Sequence, residues 1–161
     1  PGGVLVQDRG GAGALIPPPG EPTERPREEL MSWILETSTP PGTPEPIGPY
    51  HHVARVGPFV SIGGVAGVDP MTGRLAGPDV GAQTRQILAS LRAMLRSVGA
   101  DLDAVVHLNV FLLDMRDFEA MNQAYVEAMG DHRPARTVIG VHALPKAGAL
   151  LTMNLTAFVR S

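Results

Sequence analysis

Apolar positions recur along this chain with two different periods, and the switches between them mark out its elements. Between Val80 and Val98 the residues Val80, Ile87, Leu88, Leu91, Met94, Leu95 and Val98 fall on one stripe, with Gly99 directly after. That spacing predicts an amphipathic helix stopped by glycine. A second stripe of Phe118, Met121, Asn122, Tyr125 and Met129 runs to Gly130, with Asp117 placed to cap its start. Segments of strand length fill the rest. His51 to Val56 and Phe59 to Ile62 are joined by a turn at Gly57-Pro58, and Val105 to Leu113, Arg136 to Val141 and Ala149 to Val159 follow. Met31 to Thr37 is the first stretch with strand-like content, and Asp69-Pro70-Met71-Thr72-Gly73 is a further turn.

Two helices separated by a single strand predict an α+β fold, with both helices on one face of a mixed sheet. The last strand sharpens this. Leu151, Met153, Leu155 and Ala157 alternate with Thr152, Asn154, Thr156 and Phe158, so the first set meets the helices and the second lines the opposite face. That second face is too polar for a core and too apolar for open water. Another subunit is expected to cover it, leaving a small wet cavity at the join.

Composition changes the picture at the N-terminus. Eleven of the 16 prolines and 8 of the 19 glycines fall within the first 50 residues. Runs such as Pro17-Pro18-Pro19-Gly20 cannot hold a helix or a central strand. Residues 1–30 are therefore expected to form a flexible extension or an arm on a neighbouring subunit, and residues 31–161 the domain. At 161 residues, with 43% hydrophobic and 18% charged, the chain suits one domain with a real core. A net charge of −3 without a basic run argues against nucleic acid as a partner. The absence of cysteine excludes a disulfide scaffold, a thiolate zinc site and a cysteine nucleophile. No apolar run reaches roughly 18 residues, so no membrane partner is expected. Without a signal-peptide layout at its start, the protein is expected to be cytoplasmic.

Few residues suggest chemistry. The five histidines match no metal-ligand spacing, and adjacent His51 and His52 point to opposite faces of a strand, so no metal is expected. Arg136 opens an apolar strand directly after Pro134-Ala135, where rigid backbone suits its guanidinium either to a forked grip on a carboxylate or to an interface salt bridge. Asn122 lies on the apolar stripe of the second helix, where a buried amide needs partners; it is expected to hold a loop near Arg136. Gly63-Gly64 is either a bulge or a pair of N–H groups open to an anionic ligand. Tyr50, after Gly48-Pro49, is core packing or a pocket wall.

Taken in order, several motifs resemble the Rid family, the YjgF-type reactive-intermediate deaminases. They are Ile47-Gly48-Pro49-Tyr50, the Asp69–Gly73 turn, Val110-Phe111-Leu112-Leu113-Asp114-Met115 with Phe118, Asn122 and Tyr125, Pro134-Ala135-Arg136, and Leu144-Pro145-Lys146. The resemblance covers about residues 31–161. It implies a chorismate-mutase-like subunit in a homotrimer, with active sites in the clefts between subunits and no cofactor. It further implies hydrolysis of small carboxylate-bearing imines and enamines, of the 2-aminoacrylate type, to a 2-keto acid and ammonia. By position, Arg136 resembles the family arginine that binds the substrate carboxylate, Gly64 the glycine whose N–H assists it, and Tyr50 the tyrosine lining the pocket. Gly63 stands where the family often has serine.

Two departures bear on the chemistry. Typical members carry a water-orienting glutamate where this chain has Thr152, and Val138 replaces a frequent cysteine. A hydroxyl can hold water but is no base at neutral pH. Losing a general base typically slows a reaction by about 10²–10⁴-fold. Asn154 or Tyr50 is then a candidate to hold the water instead, or the substrate brings its own acid or base group. Two other functions fit the same sequence. One is a trimer that binds a small carboxylate metabolite without turnover, and the other is a biosynthetic enzyme of different chemistry in the same cleft.

Overall fold

The computed structural model describes residues 34–159; the expected 1–30 extension lies outside the described residues, as do residues 31–33. The described chain runs β1 (Leu35–Ser38), β2 (Val53–Val56), β3 (Phe59–Ala66), α1 (Val80–Ser97), β4 (Val105–Leu112), α2 (Phe118–Met129), β5 (Ala135–Gly140) and β6 (Leu151–Phe158). The six strands form one sheet in the order β1-β2-β3-β6-β4-β5. Only β4 and β5 pair in parallel, with α2 making the crossover between them. The fold is the expected α+β arrangement.

One face of the sheet is closed by the helices. Asp79 starts α1 by accepting a hydrogen bond from Ala82 N at 2.8 Å, and Gly99 leaves it with φ +80°. The stripe between them is buried: Ile87, Leu88, Leu91, Met94 and Leu95 pack on Leu108, Val110 and Leu112 of β4 and on Leu151, Met153 and Leu155 of β6. Each such side chain contributes about 1.5–3 kcal/mol through burial. Gln83 ties this helix to the chain before β6. Its amide donates to the carbonyls of Gly77 and Gly148, and its oxygen accepts from Leu150 N at 2.9 Å.

The other face carries Phe59, Ile139 and Phe158, each about half exposed, and a polar seam. In that seam Asn109 donates to Asn154 at 2.8 Å, and His107 contacts the Thr137 hydroxyl at 3.1 Å.

The structure corrects three local expectations. The third strand does not stop at Ile62 but continues to Ala66, because Gly63-Gly64 is taken up as a bulge. The register passes from Ile62 opposite Leu155 to Val65 opposite Met153, three residues against two. The first predicted strand of this hairpin is shorter than expected, since His51 and His52 precede it. Asp117 makes no capping hydrogen bond. It is already inside the 3₁₀ turn Met115–Asp117, in helical backbone, where its side chain cannot reach the N–H groups ahead. Asp114 caps that turn instead, accepting from Arg116 N at 2.9 Å and pairing with its guanidinium, which lowers its pKa to about 2.

Candidate functional site

The predicted site residues fall into two groups on different parts of the sheet. The first surrounds a cavity of about 110 Å³ between the segment before β2 and the bulged end of β3. Tyr50, His52, Gly64, Thr152 and Lys146 line it, with Pro44 and Pro145 among the apolar walls. The bulge places Gly64 here, and a side chain built on Gly64 would meet nothing within 4 Å. Glycine is thus not demanded by crowding; its bareness keeps the cavity wall open. Thr152 stands opposite Ala66 in register and faces away from the helices. Tyr50 is held locally, its N–H bonded to Gly48 O at 2.9 Å and its hydroxyl accepting from Ile47 N at 3.4 Å. Lys146 is half-buried and forms no ion pair among the described residues.

His52 is the residue of this group that the sequence reading passed over. It is 3% exposed, its Nε2 lies 2.9 Å from the Pro44 carbonyl, and its ring meets Tyr50 edge-on at 5.5 Å. A carbonyl only accepts, so Nε2 carries the proton and Nδ1 presents a lone pair. That Nδ1 is buried without a partner. Burial holds the imidazole pKa below its ordinary value, against the opposing pull of the Pro44 carbonyl and the Glu45 carboxylate.

The second group lies at the β5 edge. Arg136 and Asn122 line an open hollow with Tyr125, Val126, Arg133 and Pro134. The Arg136 guanidinium carbon sits 4.5 Å from the centre of the Tyr125 ring, a cation–π contact on the helix side of the sheet. Arg136 makes no ion pair among the described residues, and no carboxylate there neutralises its fork. Burial raises the pKa of the Tyr125 hydroxyl, with Arg136 and Arg133 opposing. Asn122 shares the hollow but is half-buried, and no side-chain hydrogen bond ties it to a loop among the described residues. At the rim, solvent reaches an amide that the helical spacing alone would have buried. Asn154 is committed to Asn109 and does not line the Tyr50 cavity. Gly63 sits beside that cavity, its N–H bonded to His52 O at 2.9 Å.

One chain does not bring the two groups together. Three strand spacings separate β3 from β5, or about 14 Å. Arg136 faces the helices, whereas Thr152 faces the opposite side. Among the described residues no group of His, Asp and Glu is placed to hold a metal ion, and no helix is long and apolar enough to cross a membrane.

The fold and these two part-sites define an α+β subunit with a small cavity at one place and, at another, an arginine without an ion pair among the described residues. Comparison with known proteins makes the class specific. The family model described as Endoribonuclease L-PSP matches residues 41–159. A RutC family protein of Pyrococcus horikoshii is 42% identical over 103 residues, 64% of this chain and 82% of that protein. The human 2-iminobutanoate/2-iminopropanoate deaminase is 32% identical over 121 residues, 75% of this chain and 86% of that one. The crystal structure of the yjgF gene product of E. coli superposes with a TM-score of 0.73 at 30% identity, over 78% of this chain and 99% of that one. The chain belongs to the Rid (YjgF-type) family.

Proposed function

We propose that this protein is a hydrolytic deaminase of small carboxylate-bearing imines and enamines, releasing a 2-keto acid and ammonia. The unpaired guanidinium of Arg136 carries the reading. A planar fork fixed on an aromatic face, with no acidic partner among the described residues, suits a substrate carboxylate. The names of the human, goat and bovine relatives supply the reaction class. Because Arg136 and the Tyr50–Gly64–Thr152 cavity lie apart in one chain, the proposal includes a homotrimer in which the arginine of one subunit meets the cavity of the next. The half-apolar outer face of the sheet is the surface such an assembly covers.

In this arrangement Arg136 orients the substrate by its carboxylate, and the reacting carbon reaches into the cavity. A protonated imine is already electrophilic at carbon. Water held by the Thr152 hydroxyl adds to that carbon and loses a proton, the nitrogen gains one, and the tetrahedral intermediate expels ammonia to leave the carbonyl. Thr152 positions the water without accepting its proton, and the proton passes to solvent or to the departing nitrogen. No cofactor enters these steps.

The test is a coupled assay that generates 2-aminoacrylate and follows its decay to pyruvate with and without the protein. Wild type is expected to accelerate decay. Thr152→Glu supplies a carboxylate base and is expected to raise the rate further, by up to about 10²–10⁴-fold. No acceleration by either protein defeats the enzyme reading. Binding of a small 2-keto acid without any turnover would instead favour the second reading, a non-catalytic carboxylate binder, which the threonine at position 152 favours.

A further inference from the structure

His52 has more than a packing role in the cavity it lines. The segment from Pro40 to Tyr50 enters β2 irregularly, and it supplies four of the residues lining the cavity, Pro44, Glu45, Ile47 and Tyr50. His52 holds Pro44 and Tyr50: Nε2–H donates to the Pro44 carbonyl at 2.9 Å, and the ring edge packs on Tyr50 at 5.5 Å. The remaining nitrogen, Nδ1, has less than 1 Å² of solvent contact and no hydrogen-bond partner among the described residues. A lone pair tolerates that setting at modest cost. An N–H bearing half of a positive charge does not, because a buried charged donor without a partner is among the most costly groups in a protein. A protonated His52 must therefore leave its place, and the Pro44 bond and the Tyr50 contact go with it.

We propose that His52 is a positioning residue that assembles the cavity only as the neutral imidazole, so that its protonation dismantles the Tyr50 wall and weakens ligand binding there. The inference rests on the cavity being the substrate's half-site, and it adds a regulation of that site. The charged and titratable groups around the ring are few. Glu45, on the same segment, favours the cation; Lys146 lines the same cavity; and Tyr50 and His51 adjoin it along the chain, His51 turned outward to Thr39 at 3.4 Å. Burial outweighs Glu45 and places the titration below the ordinary histidine value of about 6.5. The sign follows. With the folded pKa lowered, the contribution of His52 to the assembled cavity is complete above about pH 6.5 and is lost as pH falls through the folded value.

The experiment uses the full chain with isotope-labelled histidine and backbone, followed by NMR from pH 8 to pH 5. Pyruvate binding is measured over the same range in wild type and His52→Gln. Glutamine keeps an amide N–H for Pro44 and cannot titrate. The expected result is a one-proton transition of His52 below pH 6.5, shared by the Tyr50 and Gly64 amide signals. Pyruvate affinity then falls tenfold per pH unit below that transition in wild type and stays flat in His52→Gln. The proposal is overturned if His52 titrates at or above 6.5, if Tyr50 and Gly64 do not follow it, or if His52→Gln keeps the wild-type acid limb. Should His52→Gln not fold, the wild-type titration alone decides. Should pyruvate bind at no pH, the deaminase reading loses support, while the titration still judges the role of His52.

Discussion

Removing the guanidinium of Arg136 separates a ligand grip from a structural contact. Among the described residues Arg136 contacts the Tyr125 ring at 4.5 Å and pairs with no carboxylate. A half-buried cation–π contact is worth about 1–2 kcal/mol, so Arg136→Ala is expected to lower chain stability by little more than that. Loss of a charge-assisted, bidentate carboxylate contact in a partly desolvated cleft costs on the order of 2–5 kcal/mol. In affinity that is about 30-fold to a few thousand-fold. Arg136→Lys keeps the charge over the ring but loses the fork, so it is expected to fold like wild type and still bind poorly. The assay pairs calorimetric titration with pyruvate against urea unfolding of the same three proteins. If Arg136→Ala binds within threefold of wild type, the arginine is only a ring contact. If instead it unfolds several kcal/mol more readily, its role is structural and the arithmetic above is wrong.

Two further outcomes are expected. Light scattering at micromolar concentration should return about 51 kDa for three 17.0 kDa chains, and a stable single-chain mass would remove the shared-cleft model. Gly67→Ala should destabilise the fold by about 1–3 kcal/mol in urea unfolding, because the added methyl would lie 2.8 Å from the backbone of Gln83; an unchanged midpoint would show that α1 can shift away at no cost.

The order of elements and the buried set were legible because the core has one dominant period in each element. The α1 stripe and the alternation of β6 map directly onto the closed face of the sheet. What was not legible depended on neighbours distant in sequence. Gly63-Gly64 could have ended a strand, and only pairing with β6 makes it a bulge that carries β3 on to Ala66. Asp117 had the right identity for a cap, but the preceding turn had already taken its backbone into helical geometry. The spacing of His52 matches no metal motif, and its bond to Pro44 and its Nδ1 without a partner among the described residues arise from a loop fold that no periodicity encodes. Asn122 lines the same hollow as Arg136, and its exposure at the rim leaves it, among the described residues, without the tether a buried amide would need.

The separation of Arg136 from the Tyr50 cavity also has a genetic reading. If the two meet only across a boundary between identical chains, a damaged chain harms its neighbour's cleft as well as its own. Two defective forms, one lacking the cation and one lacking the cavity wall, can then rescue each other when they assemble together. In a ring built at random from equal amounts of both, each cleft draws its wall from one chain and its cation from the next, so about a quarter of the clefts are whole. Neither form alone has any. A site held within a single chain would give no such recovery, and the phenotype of a mixed population would then be no better than that of its parts.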